Sequence, residues 1–367
     1  MLAYYLNSTP HGTDPDLSPY GLKAAREVTS FHKSFREYAA TPLRELPEFA
    51  AECGVGGICV KDESFRFGLN AFKVLGGSYA VARLLEEDPS AEVFITATDG
   101  NHGRGVAWAA AHFGRKSVVY MPKGTARERL DNILVLGSDA SITDFVYDDA
   151  VRKAARDAAE NGWTLVQDTA SPGYERVPRL IMQGYTTMAL EAVQQLGGTV
   201  PTHVFLQAGV GSMAAAVAAF LADYYGASCP KIIIVEPDTA DCFYLTAAAG
   251  DGALHSVSGE MDTMMAGLAC GEPNPMAWDI LGSLASCFIK IPDSAAADGM
   301  RALARSGIVS GESGAAGLGA ALLCLRSPDL ADLREKLGID GSSVILCFST
   351  EGATDRENYA RITGVTP

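Results

Sequence analysis

Four short stretches of this 367-residue chain place reactive side chains at the ends of apolar runs. The first is Lys73, which follows Asn70-Ala71-Phe72 and precedes the pair Gly76-Gly77. Its neighbours Phe72, Val74 and Leu75 are apolar, and burial lowers a lysine's pKa by disfavouring the charged form. A neutral amine can form a Schiff base with a carbonyl. Spacing alone favours a plainer reading, a lysine at a helix start whose stem lies along apolar surface. The second stretch is TATDGNHGRG, from Thr96. Gly100 and Gly103 let backbone amides face an anion, and the helix that follows adds its positive dipole end. Asp99 stands where a negative charge would repel that anion. Asn101 can bond a hydroxyl or a carbonyl, yet Asp99 and Asn101 would serve equally well as helix caps.

The third stretch is LQAGVGSMAAAV, from Leu206. A strand enters Gly209-Val210-Gly211-Ser212 and a helix leaves through Met213, which makes a cradle of backbone amides for a phosphate. The same residues fit G-x-G-x-x-A through Gly209, Gly211 and Ala214. Glu236 follows where a dinucleotide fold wants a ribose-binding acid, so a nicotinamide-dependent dehydrogenase is a rival. A tight turn is the bland alternative. The fourth stretch is ILCFSTEGATD, from Ile345, which delivers Ser349 and Thr350 to a strand end. Hydroxyls there can bond a heteroaromatic nitrogen, or simply close a turn. His102, His112 and His203 lack metal-ligand spacing, so no metal site is expected. No Gly-x-Ser-x-Gly elbow is present, which argues against a serine hydrolase.

The elements that must hold these stretches alternate between apolar strands and helices. VFITAT (from Val93) precedes GVAWAAAHFG, and SVVYMP (from Ser117) precedes TARERLDNILVLG. TLVQD follows DDAVRKAARDAAENG and ends on Asp168. HVFLQA, KIIIVEP and SVILCFST come later. This order predicts parallel sheets covered by helices on both faces. One group of strands runs from about Val93 to Asp168, the other from His203 onward. A polar stretch from Thr169 separates them and predicts a boundary near Gln183. A helix over LKAAREVTSFHKSFREYAA, from Leu22, is expected to pack on the second unit. In open parallel sheets, ligands bind beyond the carboxyl ends of the strands.

Composition narrows the partners. The chain is 48% hydrophobic and 20% charged, with a formal net charge of −15. Nucleic acid and anionic membranes need clustered Lys and Arg, so neither is expected. The stretch MAAAVAAFLADYYG is too short to span a bilayer and reads as a buried helix. No signal peptide is expected from the N-terminus. The eight cysteines show no C-x-x-C spacing, which favours a cytoplasmic location with reduced thiols.

Taken in order, these pieces resemble the fold-type II pyridoxal-phosphate enzymes, the tryptophan synthase β and threonine dehydratase group. The resemblance is closer to the diaminopropionate ammonia-lyase family. It is carried by FGLNAFKVLGGSYA, TATDGNHGRGVAW, MAGLACGEPNP (from Met265), SGESGAAGLGA (from Ser310) and STEGATD. The resemblance implies an α/β fold of two open, mostly parallel twisted sheets covered by helices, with the active site in the interdomain cleft. It assigns residues 1–75 and 184–367 to a large cofactor-binding domain and 76–183 to a small one. It implies pyridoxal 5′-phosphate held by Lys73 as a Schiff base. Asn101, the loop Gly209, Val210, Gly211, Ser212 and Met213, and Ser349 or Thr350 at the pyridine nitrogen would contact it. A neutral hydroxyl there leaves the nitrogen largely unprotonated and favours elimination over transamination. Val210 and Met213 depart from the more glycine-rich loops of dehydratases.

The implied reaction converts D- or L-2,3-diaminopropionate to pyruvate and two ammonia. The β-amino group leaves poorly unless protonated, so a general acid is needed. The resemblance gives acid/base roles to Asp99 and Asp168. An acidic pair also attracts the substrate's second ammonium, and a dehydratase carries a small residue at the place of Asp99. A serine or threonine dehydratase of the same fold is the alternative. A homodimer and a disulfide between Cys242 and Cys270 are implied by the resemblance alone.

Overall fold

The computed structural model describes residues 2–7, 14–98 and 100–367. Its strands in chain order are β1 (Ala3–Leu6), β2 (Leu43–Glu45), β3 (Gly57–Asp62), β4 (Val93–Ala97), β5 (Lys116–Met121) and β6 (Asp139–Ile142), followed by β7 (Thr164–Leu165), β8 (His203–Gln207), β9 (Lys231–Pro237), β10 (Ala285–Ile291) and β11 (Val344–Ser349). They form two sheets. The larger runs β1-β10-β9-β8-β11-β3-β2 and the smaller β6-β5-β4-β7. All pairings are parallel except those of the larger sheet's two edge strands, β1 against β10 and β2 against β3.

The central strands are apolar on both faces because helices cover both. Every residue of β8 is buried, and so is all of β9 after Lys231. The alanine-rich helix Ser212–Tyr225 is buried from Ser212 to Leu221 and packs between β8 and neighbouring helices. No helix among the described residues is long and apolar enough to cross a membrane.

All six apolar runs picked out in the sequence form strands. The N-terminal region does more than pack on the second unit, because β1, β2 and β3 join its sheet. The helix expected from Leu22 to about Ala40 spans only Leu22–His32. Beyond it the chain turns, with Ser34 Oγ donating to the Phe31 carbonyl. Phe31 and Phe35 pack edge to face, 5.0 Å apart, and Phe35 also meets Phe67 and Trp108. Strand β7 is also shorter than TLVQD. His102 Nε2 bonds the Val166 carbonyl at 2.7 Å, and Gln167 Oε1 accepts from Ala97 N at 3.1 Å. Side chains thus replace the ladder just where the chain must leave the sheet for Asp168.

The segment leading to Lys73 is held by a buried ionic cluster. Lys61 Nζ lies 2.7 Å from Glu191 Oε2, and Arg66 Nη2 lies 2.8 Å from both Glu63 Oε1 and Glu191 Oε2. Burial alone would raise the Glu191 carboxyl, but Arg66 and Lys61 hold it below the usual range. The cluster fixes the turn Glu63–Gly68; within it Phe67, and just beyond it Asn70, adopt positive φ angles of 51° and 55°. Such angles are unfavourable for side chains larger than glycine. Breaking a buried pair leaves an uncompensated charge, at about 3–5 kcal/mol. Glu191→Gln is therefore expected to lower stability by about 3 kcal/mol in urea unfolding at pH 7. Because the native carboxyl is depressed, the deficit should shrink as pH falls below the glutamate range. An unchanged urea midpoint would show that the cluster contributes nothing.

Candidate active site

A cavity of about 980 Å³ opens beyond the carboxyl ends of both sheets. Gln207 at the end of β8 and Thr350 just past β11 reach it from the larger sheet. Thr98 past β4 and Pro122 past β5 reach it from the smaller. Lys73 is the first residue of the helix Lys73–Glu87 and enters the cavity between them. It is neither a surface lysine nor a fully buried one, at 19% side-chain exposure.

Lys73 Nζ lies 2.5 Å from Asp168 Oδ2, and the Asp168 side chain is 3% exposed. Burial on its own would raise the Asp168 carboxyl. The charges of Lys73 and His102 overcome that and pull it down to about 2. The Asp168 carbonyl accepts from Ser212 Oγ at 2.7 Å, and Asn274 Nδ2 donates to the same hydroxyl at 2.9 Å. The acid is therefore tied to the start of the glycine loop's helix. Tyr185 lines the cavity beside Phe72, with ring centroids 4.7 Å apart. Burial pushes its phenol well above the ordinary range, so it stays protonated, and its hydroxyl meets no hydrogen-bond partner among the described residues.

The glycine loop is built to receive an anion. Gly211 has φ +88°, and a Cβ there would lie 2.3 Å from Phe243 Cζ. Only glycine fits, in conformation and in space. Among the described residues no side chain caps the helix Ser212–Tyr225 that follows, so its N-terminal amides can serve a ligand. Among the other donors lining the same cavity are an amine at Lys73, an amide at Asn101 and a hydroxyl at Thr350. This set fits pyridoxal phosphate: a carbonyl for the amine, a phosphate for the bare helix end, a ring nitrogen for the hydroxyl and a 3′-oxygen for the amide.

Of the residues singled out in the sequence, Lys73, Asn101, Asp168, Gly209, Val210, Gly211, Ser212, Met213 and Thr350 come together around the cavity. Asp99 lies outside the described residues. Ser349 does not line the cavity. It is 1% exposed, and its hydroxyl donates to Ser310 Oγ at 2.8 Å. Strand alternation explains the choice, because consecutive residues at a strand end face opposite sides.

Glu236 is not a ribose ligand. Its two oxygens accept from Phe243 N at 2.8 Å and Tyr244 N at 2.7 Å, capping the helix Cys242–Ala249, and burial raises it to about 8. The dinucleotide reading loses its acid. Cys242 is a buried thiol beside Cys270 rather than half of a disulfide, and burial pushes it well above its ordinary value.

Sequence reasoning missed Glu351, Gln207 and Tyr185. Glu351 and Gln207 carried a signal, since both are polar residues adjoining strand ends within quoted motifs. Tyr185, inside the long helix Arg176–Gln195, carried none.

Residues 35–350 match the family model for pyridoxal-phosphate dependent enzymes. The chain is 46% identical to the diaminopropionate ammonia-lyase of Salmonella typhimurium, with 99% of this chain and 98% of that protein covered. It superposes on the crystal structure of the Escherichia coli diaminopropionate ammonia-lyase in complex with an aminoacrylate–PLP azomethine reaction intermediate. The TM-score is 0.93 at 46% identity, covering 99% of this chain and 97% of the other. The same E. coli enzyme in complex with D-serine gives a TM-score of 0.92 at 44% identity, covering 99% and 97%. With a lysine, an amide, a hydroxyl and a bare helix end converging on one cavity, and with likeness across nearly its whole length, this chain belongs to the pyridoxal-phosphate-dependent enzymes and, within them, to the diaminopropionate ammonia-lyase family.

Proposed function

We propose that this protein eliminates the β-amino group of D- and L-2,3-diaminopropionate, giving pyruvate and two ammonia. The observation that carries the reading is the Lys73–Asp168 pair, a 2.5 Å contact between an amine and a buried carboxylate inside the cavity. Lys73 would hold pyridoxal phosphate, the loop Gly209–Met213 its phosphate, Asn101 its 3′-oxygen and Thr350 its ring nitrogen. Bound there, the cofactor supplies an electron sink for the bond broken at Cα.

The protein's own groups then handle the protons. While Lys73 is charged, the shared proton rests on its amine and Asp168 is an anion. Once the Lys73 nitrogen is engaged, the larger of the two charges that depressed Asp168 is withdrawn and that of His102 remains. Burial then pushes the carboxyl up from its depressed value, which makes it a better place for a proton. Asp168 is thus poised to protonate the departing β-amine, and the amine of Lys73, released by the incoming substrate, takes the Cα proton of one isomer. Asp99 takes that of the other from the opposite face.

The division into residues 1–75 with 184–367 and 76–183, a homodimer and a cytoplasmic location belong to the same reading. The test is pyruvate and ammonia release from diaminopropionate and from serine by the purified protein. Turnover of serine without turnover of diaminopropionate would assign it to the dehydratases. For the face assignment, Asp99→Asn is expected to reduce kcat/KM for the D-isomer at least about tenfold more than for the L-isomer. Equal losses for the two would sink it.

A further inference from the structure

Glu351 follows Thr350 and has no role in the reading above, yet three parts of the site meet on it. Its Oε2 accepts from Asn101 Nδ2 at 2.5 Å. Its Oε1 accepts from Ser313 N at 3.2 Å, within the first turn of the helix Glu312–Arg326. Its main chain forms an antiparallel bridge with Ala71, two residues before Lys73. On either side of that bridge, Phe72 N donates to the Thr350 carbonyl at 3.1 Å and Gly352 N to the Asn70 carbonyl at 2.8 Å. The residue is 3% exposed and lines the cavity.

A carboxylate that deeply placed must be compensated. The helix N-terminus and the Asn101 amide together do this. The motif SGESGAAGLGA has a physical reason here as well. A Cβ on Gly311 would lie 2.6 Å from the Gly352 carbonyl and 3.1 Å from Glu351 Oε1, so a side chain there would displace the carboxylate. Asn101 belongs to the segment after β4 of the smaller sheet, and Glu351 to the segment after β11 of the larger. Their bond is therefore a tie across the cleft.

We propose that Glu351 is a positioning residue that fixes the Asn101 amide toward the cofactor's 3′-oxygen. An asparagine amide can turn about its last torsion, and a carboxylate can only accept. The bond to Glu351 therefore holds Nδ2 on the Glu351 side and leaves its second N–H to point at the ligand. Glutamine at 351 removes the charge and can present either end, so the amide loses its fixed direction. The inference rests on Asn101 as a cofactor contact.

The test is a double-mutant cycle read in the cofactor's dissociation constant, measured by equilibrium dialysis of the holoenzyme without substrate. Asn101→Ala alone should weaken cofactor binding. Glu351→Gln alone is expected to weaken it about tenfold, and to add little once Asn101 is alanine. Losses that simply multiply, or no effect of Glu351→Gln, overturn the inference while leaving Asn101 as a contact. No effect of Asn101→Ala overturns the contact itself and the inference with it. Should Glu351→Gln fail to fold, Glu351→Asp keeps the charge, draws it off Asn101 by one methylene and is read in the same cycle.

Discussion

Lys73→Ala is expected to lower turnover of 2,3-diaminopropionate by about 10⁴-fold or more, because one substitution removes two functions. In the proposed mechanism the amine holds the cofactor and is also the base for one isomer. Loss of a base alone is typically worth about 10²–10⁴-fold. A small exogenous amine should restore part of the rate, since the cavity around Lys73 is wide enough to admit it at about 980 Å³. Rescue would separate chemistry from folding.

The same substitution has a stability signature with a definite sign. In the native protein Asp168 sits near pKa 2, below its ordinary value of 3.8, so the pair stabilises the fold above that value and the contribution is lost as pH falls toward 2. Without Lys73, burial is opposed mainly by the His102 charge, and the carboxyl rises from that depressed value. The variant is then less stable than the parent at pH 7, and the gap narrows on acidification as Asp168 is protonated. Thermal unfolding of both proteins between pH 4 and pH 8 checks this. A gap that does not change with pH would mean that Asp168 does not depend on Lys73. Because Lys73 retains 19% exposure, the loss should fall short of the roughly 3–5 kcal/mol of a fully buried pair.

The residues that meet at the cavity were legible in the sequence because they stand where apolar runs end. Lys73, Asn101, Ser212 and Thr350 all stand at junctions where a strand ends or a helix begins, and parallel sheets bring such junctions to one side. Three things were hidden. Strands β3 and β10 are not among the six apolar runs picked out, and it is long-range pairing with β11 and β9 that makes them sheet. The choice between Ser349 and Thr350 depends on which side of β11 faces the cavity, and adjacent residues of like chemistry give periodicity nothing to act on. The fate of Glu236 was hidden for another reason. A buried acid at a strand end has the same local sequence whether it binds a ribose or caps the next helix. Only the position of the helix Cys242–Ala249, with Phe243 N and Tyr244 N on the carboxylate, decides between them.

Asp168→Asn is expected to reduce kcat for both isomers of diaminopropionate by about 10²–10⁴-fold, with a smaller change in KM. Asparagine keeps the shape and can still accept a bond from Lys73 or donate to the β-amine, but it cannot carry a proton to a leaving group. The two isomers differ in which face loses the Cα proton, and both must expel the same β-amine. The Asp168 effect should therefore be common to them, in contrast to Asp99. A change of leaving group isolates the acid function. Chloride departs from β-chloroalanine without protonation, so the variant should retain elimination from that compound while losing it from diaminopropionate. An equal loss on both compounds would show that Asp168 serves only to hold Lys73 in place. Its carboxylate would then be an ion-pair partner, and the proton for the departing amine would have to come from elsewhere in the cavity.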